Sequence, residues 1–248
     1  MKIKISKVDQ ANFTSFVNRL KVIDSFIYFK IKDGRIISSA YLPQRDAVKH
    51  HTLPLNEVFV IDGKIETEKE LKVAFFDASK LIEAFRQFEY DAIQGEIEFT
   101  ENDEDFVANS FKIFTDDLEI TLACSEPSLG YKDLTDSQLQ NIFNTDGAEA
   151  TFELSYTDVS KIKSLFGLDK DETFAIAANK DGIRVKGKSY NKLINSVGSP
   201  KTDVTVYKKY LNLFDKEDYA TNVFSNRIVL RSKDSDTLLT IATCQSAD

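Results

Sequence analysis

KLIEAF (80–85), KIKSLF (161–166) and KYLNLF (209–214) share one pattern: Lys, an apolar residue, two variable residues, Ala or Leu, then Phe. The likeness extends further for the first two. FFDASKLIEAF (75–85) and SYTDVSKIKSLF (155–166) align Asp77 with Asp158, Ser79 with Ser160 and Lys80 with Lys161. Asp suits a helix N-cap because its carboxylate accepts from free N–H groups of the first turn. Beyond it, Leu81, Phe85 and Phe88 fall on one helical face, as do Val159, Ile162 and Phe166. A weaker fourth copy, NFTSFVNRL (12–20), sets Phe13, Phe16, Val17 and Leu20 on one face. The expectation is four short amphipathic helices, each with a narrow apolar stripe.

Around each helix the residues alternate apolar and polar with period two, which predicts strands. KIKIS (2–6) precedes the first helix, and SFIYFKIK (25–32), RIISSAYL (35–42) and AVKHHTL (47–53) follow it. LKVAFF (71–76) precedes the second, and GEIEFT (95–100), FVANSFKIF (106–114) and LEITLAC (118–124) follow. TFELS (151–155) leads to the third, then FAIAA (174–178), GIRVKGK (182–188) and NKLINSV (191–197). TDVTVY (202–207) leads to the fourth, then TNVFS (221–225), RIVLRS (227–232) and TLLTIATC (237–244). KDG at 32–34 and 180–182 supplies hairpin turns. LEITLAC and LLTIATC each close a pair of repeats at a Cys, and SEPSLGYKDLTDSQLQNIFNTDGAEA breaks the period between them. The organisation is an N-terminal domain over 1–124, a connector over 125–149 and a C-terminal domain over 150–248.

Composition sets outer bounds. Hydrophobic residues make up 42% and charged residues 29%, with 9 Gly and 4 Pro, which excludes disordered and fibrous classes. MKIKISKVDQ lacks the apolar core of a signal peptide, and no apolar run approaches bilayer length. Two Cys make no disulfide framework. These features predict a soluble cytoplasmic protein (host cytoplasm, if viral) with no membrane partner. The net charge of −8 argues against a body coated in basic surface, though not against one basic face.

Chemistry-bearing motifs are few. GIRVKGKS (182–189) matches the phosphate-binding pattern of Gly182, Gly187, Lys188 and Ser189, and VFVID (58–62) offers Asp62 as a metal ligand. The intervening residues alternate like a strand, no helix pattern follows, and the stretch reads as a β-hairpin. His50 and His51 are neighbours on a strand and point to opposite faces, so a shared metal is disfavoured. Cys124 and Cys244 read as packing positions, and ENDEDF (101–106) as a solvated hairpin tip. No catalytic constellation, cofactor or metal is expected, and the chain is not expected to be an enzyme.

Paired βαβββ units, a connector and short basic helices on an acidic chain resemble the DNA sliding clamps. The likeness is nearest to phage-type polymerase accessory clamps, with PCNA more distant. VYKKYLNLFDKEDYATNVFSNRIVLRSKDSDTLLTIATCQSAD (206–248) carries it most closely: short helix, antiparallel meander, short acidic tail. The resemblance implies an α+β, two-domain clamp fold of four βαβββ units. Its helices line a ring channel, antiparallel sheets lie outside, and three chains make the ring. It implies a processivity factor for DNA replication that surrounds double-stranded DNA without reading sequence. Its partners are a DNA polymerase, an ATP-dependent clamp loader and further copies of itself. The candidate DNA-facing cations are Lys7, Arg19 and Lys21; Lys80 and Arg86; Lys161 and Lys163; and Lys208 and Lys209. The four helical segments total +4 and the rest of the chain −12, although the second segment, with Asp77, Glu83 and Glu89, is itself at −1. The resemblance also implies a pocket for a partner's apolar peptide beside the connector. Leu42, Pro43, Leu129, Tyr131 and Ile241 match its elements. Competing expectations are a non-ring factor gripping DNA on one basic face, a structural virion protein, and a nucleotide-binding enzyme built on Lys188.

Overall fold

The computed structural model describes residues 1–65, 67–88, 92–129, 134–196, 198 and 200–244. Glu89, Tyr131 and the tail 245–248 lie outside the described residues. The chain runs through strand, helix and three strands four times. The first repeat comprises β1 (Lys2–Val8), α1 (Gln10–Lys21), β2 (Ile27–Lys32), β3 (Arg35–Tyr41) and β4 (Ala47–Pro54). A short extra strand, β5 (Phe59–Ile61), follows it. The second comprises β6 (Leu71–Phe75), α2 (Ala78–Arg86), β7 (Gln94–Glu101), β8 (Phe106–Phe114) and β9 (Glu119–Ala123). A helix that the sequence reading does not contain, α3 (Asp136–Phe143), lies within the expected connector. The third repeat comprises β10 (Ala150–Leu154), α4 (Tyr156–Leu165), β11 (Thr173–Asn179), β12 (Gly182–Lys186) and β13 (Asn191–Asn195). The fourth comprises β14 (Thr202–Tyr207), a 3-10 helix (Lys208–Leu213), β15 (Tyr219–Val223), β16 (Arg227–Ser232) and β17 (Thr237–Ala242). The fold is α+β, built from four βαβββ units.

The residues form two compact units. One contains Met1–Ala40 and His50–Asp133, the other Tyr41–Lys49 and Leu134–Asp248. In the first, the strand order is β3-β2-β6-β8-β7-β1-β5, with β9 also paired to β8. Asp33 and Gly34 both take positive φ, as the two-residue β2–β3 hairpin turn requires. α1 and α2 bury Phe13, Phe16, Val17 and Leu20, and Leu81, Ile82 and Phe85. Phe13 is the hub of this core, with ring centroids of Phe85 at 5.0 Å, Phe59 at 5.4 Å, Phe111 at 6.0 Å and Phe29 at 6.2 Å. Offset and edge contacts of this kind suit aromatic quadrupoles. Asp9 caps α1 by accepting from Asn12 N at 2.9 Å, and Asp77 caps α2 by accepting from Ser79 N at 2.8 Å.

The second unit holds a four-stranded sheet, β13-β12-β11-β14, and a sheet running β10-β15-β16-β17. Between them lie the buried side chains of Phe152, Ile162, Phe174, Val185, Leu230 and Ile241. α4 begins earlier than the Asp77–Asp158 alignment suggests. Ser155 is its N-cap, accepting from Asp158 N at 3.1 Å, and Asp158 sits in the first turn. The Ser hydroxyl reaches the free N–H groups first, and the Asp158 carboxylate in turn accepts from that hydroxyl at 2.7 Å. The fourth helix is not α-helical. KKYLNL has no side-chain cap, and a 3-10 turn stacks Tyr210 over Leu213, three residues apart, so both reach the core with Leu211.

Candidate nucleic-acid interface

Each helix buries its apolar stripe, so its cations stand on the side turned away from the strands. On α1, Lys21 is exposed in the last turn and Arg19 is half-buried; Lys7, on β1, is exposed. On α2, Lys80 and Arg86 are exposed, with Glu83 exposed between them. α1 and α2 are tied together by Gln10, whose Nε2 donates to Phe85 O at 2.7 Å. On α4, Lys161 and Lys163 are exposed on either side of buried Ile162.

The fourth element differs. Lys208 is half-buried; its Nζ donates to Asp169 O at 3.0 Å and sits 4.9 Å over the Phe166 ring. Its charge tethers the loop after α4, and only its neighbour stands in solvent. Lys209 is exposed, 5.0 Å over the Tyr210 ring, with Asp46 Oδ2 at 3.4 Å. Asp46 also accepts from the Tyr210 hydroxyl at 2.5 Å; burial first, then this carboxylate, push the phenol upward. Behind them Lys49 is fully buried, donating to Asp215 Oδ1 at 2.7 Å and to Leu213 O at 3.0 Å. Sequence reading missed Asp46 and Lys49. The one available signal is a Lys inside the strand-like apolar run AVKHHTL (47–53).

The residues named for the expected peptide pocket fall on separate elements. Leu42 is half-buried and Pro43 exposed in the β3–β4 loop of the second unit. Leu129 is 79% exposed in the first unit, and Tyr131 lies outside the described residues. Ile241 is 1% exposed and faces the core, so it lines no surface pocket. Strand parity is the reason: Leu239 and Ile241 point inward, while Leu238 and Thr240 point to the outer side, where α3 lies.

GIRVKGKS is a β-hairpin: β12 pairs antiparallel with β13. The Lys188 backbone N–H donates to Asp169 at 2.7 Å, and its Nζ pairs with Asp171 at 2.9 Å, so no phosphate cradle forms. Asp62, in the VFVID stretch, follows the short strand β5. His50 sits between the hydroxyls of Ser39 (2.9 Å) and Thr52 (3.1 Å), and His51 packs on Phe16. Among the described residues no cluster of three or more His, Cys, Asp or Glu could hold a metal. Both Cys are free, and burial pushes the Cys124 thiol up to about 12. No helix among the described residues is long and apolar enough to cross a membrane.

This architecture is the fold of the DNA sliding clamps. The chain superposes on PCNA of Entamoeba histolytica with a TM-score of 0.70 at 12% identity, covering 98% of each chain. PCNA of A. fulgidus, solved with the C-terminal region of FEN-1, gives a TM-score of 0.69 at 12% identity, covering 99% of this chain and all of the other. A putative DNA polymerase III beta subunit from Eubacterium rectale gives 0.67 at 13% identity, covering 100% of this chain and 66% of that one. No protein-family model and no curated protein matches the sequence.

Proposed function

We propose that this chain is a DNA sliding clamp that acts without catalysis. Three copies close head to tail around duplex DNA, an ATP-dependent loader opens the ring, and the ring tethers a replicative polymerase to raise its processivity. The observation that carries this reading is the set of exposed cations Lys21, Lys80, Arg86, Lys161 and Lys163 on helices of a chain with net charge −8. Scattered Lys and Arg attract phosphate without reading sequence, and an acidic body limits the grip. The full-length likeness in fold to PCNA supports it. Open sheet edges support closure: among the described residues β9 pairs only with β8, and β13 only with β12. Leu193 on β13 is exposed, and Ile120 and Leu122 on β9 are half-buried. Such edges invite aggregation unless another strand covers them, and in the proposed head-to-tail ring β9 of one copy would pair with β13 of the next.

Light scattering is expected to give three times 28.1 kDa. Loaded rings are expected to stay on nicked circular DNA at high salt and to leave when the circle is cut. A persistent monomer retained equally on linear DNA, with steep salt dependence, would instead mean a one-face binder. Lys161→Ala is expected to weaken DNA association and lower the salt slope by up to about 0.9, with stability unchanged. Lys208→Met is expected to do the reverse, because its ammonium serves the Asp169 carbonyl.

A further inference from the structure

We propose that the solvent face of the four-stranded sheet in the second unit, β13-β12-β11-β14, is a docking surface for an extended acidic segment of a partner protein, one whose carboxylates alternate along the chain so that Arg184 and Lys186 each take one. Neither the ring nor DNA enters this reading; the face stands on its own geometry.

One face of this sheet is the core side, where Phe174, Ile176, Ile183, Val185, Val204 and Val206 are buried. Strand parity turns the alternate residues outward. Arg184 pairs across the strands with Ala177 and Leu193, and Lys186 with Ala175 and Asn191, so these six share the outer face. The two cations stand on an inner strand, about 7 Å apart along it. The alanines put no bulk beside them, and Leu193 is 41% exposed at their flank. The result is a shallow trough with two half-buried cations along its middle.

Both charges are left open. Among the described residues neither Arg184 nor Lys186 has an ion-pair partner. Lys192, on the same hairpin but of opposite parity, pairs with Asp158 at 3.5 Å. β2 and β6 of the first unit are the counterparts of β11 and β14, and there the lysines are matched. Lys30 and Lys32 reach Glu70 at 3.4 and 3.0 Å, and Lys72 reaches Asp105 at 2.5 Å. A chain with 40 acidic residues against 32 basic ones has carboxylates to spare. Yet the carboxylate on this row, Asp203, lies two strands from Arg184 and does not pair with it. Two like charges on one strand face without a counter-ion repel each other, and a guanidinium fork matches a carboxylate. An extended segment repeats its side chains at the same two-residue spacing, so alternate carboxylates meet both cations. A single-stranded nucleic acid fits less well, because it needs a free ring on which to stack. Tyr207, exposed on this face, already has Lys209 at 5.3 Å over its ring and Tyr210 edge-on at 5.9 Å.

The test uses the full-length protein at low salt, no DNA, and two fluorescein-labelled peptides of one composition, Thr-Glu-Val-Glu-Thr-Gly and Thr-Glu-Glu-Val-Thr-Gly. Failure here therefore leaves the ring reading standing, and failure of the ring leaves this result standing. The first peptide is expected to bind about fivefold tighter than the second, whose adjacent carboxylates point to opposite sides. Arg184→Gln/Lys186→Gln is expected to weaken the first peptide about tenfold with melting unchanged. Lys30→Gln/Lys32→Gln removes cations that Glu70 already holds, and is expected to change binding by less than about twofold. Arg184→Glu/Lys186→Glu should reject the first peptide and take its counterpart with Lys in place of each Glu, an exchange that a misfolded variant cannot make. No binding, equal binding of the two peptides, or an equal loss in Lys30→Gln/Lys32→Gln overturns the proposal. An oligothymidylate that displaces the first peptide at lower concentration overturns it too, and makes the face a nucleic-acid surface.

Discussion

The first and last helices answer the same packing problem in opposite ways. α1 carries its own Asp9 cap at one end and sets Phe13 among five other phenylalanines, Phe16, Phe29, Phe59, Phe85 and Phe111. The 3-10 helix Lys208–Leu213 has no cap and holds its place through groups 164 and 166 residues away, Asp46 on Tyr210 and Lys49 on Asp215. Directional bonds hold the last helix where ring contacts hold the first. A repeat can keep its outline while one copy loses its side-chain cap and gains polar partners.

Breaking the aromatic hub should have the largest effect. Phe13→Ala removes a fully buried ring and is expected to cost about 3–5 kcal/mol in denaturant unfolding. A loss under about 1 kcal/mol would mean that the neighbouring rings collapse into the space and that no hub exists. Lys49→Met tests the other mode. It takes the ammonium away from the 12%-exposed Asp215 and the Leu213 carbonyl, at a cost of about 3 kcal/mol. Adding Asp215→Leu should recover much of that loss, because a buried pair replaced by apolar groups is often neutral. A double variant as unstable as the single one would show that the Leu213 carbonyl, not the carboxylate, needs the ammonium.

Much of this was legible in the sequence because the signals are local. Alternation over FVANSFKIF and RIVLRS predicts β8 and β16 at their observed bounds. The stripe Leu81, Phe85, Phe88 predicts a buried face, and all three are buried. What stayed hidden depends on distant residues. Phe59–Ile61 is too short to alternate detectably, and it is a strand because β1 pairs with it. α3 is eight mostly polar residues whose helicity depends on the sheet beneath. Ile241 is expected at a surface pocket and instead faces the core, since side chains on neighbouring strand positions face opposite ways. Lys208 and Lys209 look alike in sequence; only the Asp169 carbonyl and the Phe166 ring separate the structural cation from the exposed one.

The smallest effect concerns the caps. Asp77 is held below the ordinary carboxylate range, chiefly because its side chain accepts from the Ser79 backbone N–H and then from that of Lys80. A carboxyl with a lowered folded-state value stabilises the fold fully above its unfolded value of about 3.9. That share is lost as pH falls through the lower folded value, because protonation removes the acceptor charge. Asp77→Asn keeps a good cap that cannot titrate. Wild type should therefore melt slightly higher than Asp77→Asn at neutral pH, where the carboxylate also favours the positive end of the helix dipole. The gap should shrink in acid and close below the folded value. Melting curves of the two proteins across that range isolate this one carboxyl, since every other titrating group is common to both. A gap unchanged between neutral and acid would show that the cap acts through hydrogen-bond geometry alone, and that α2 depends on contacts more than on charge.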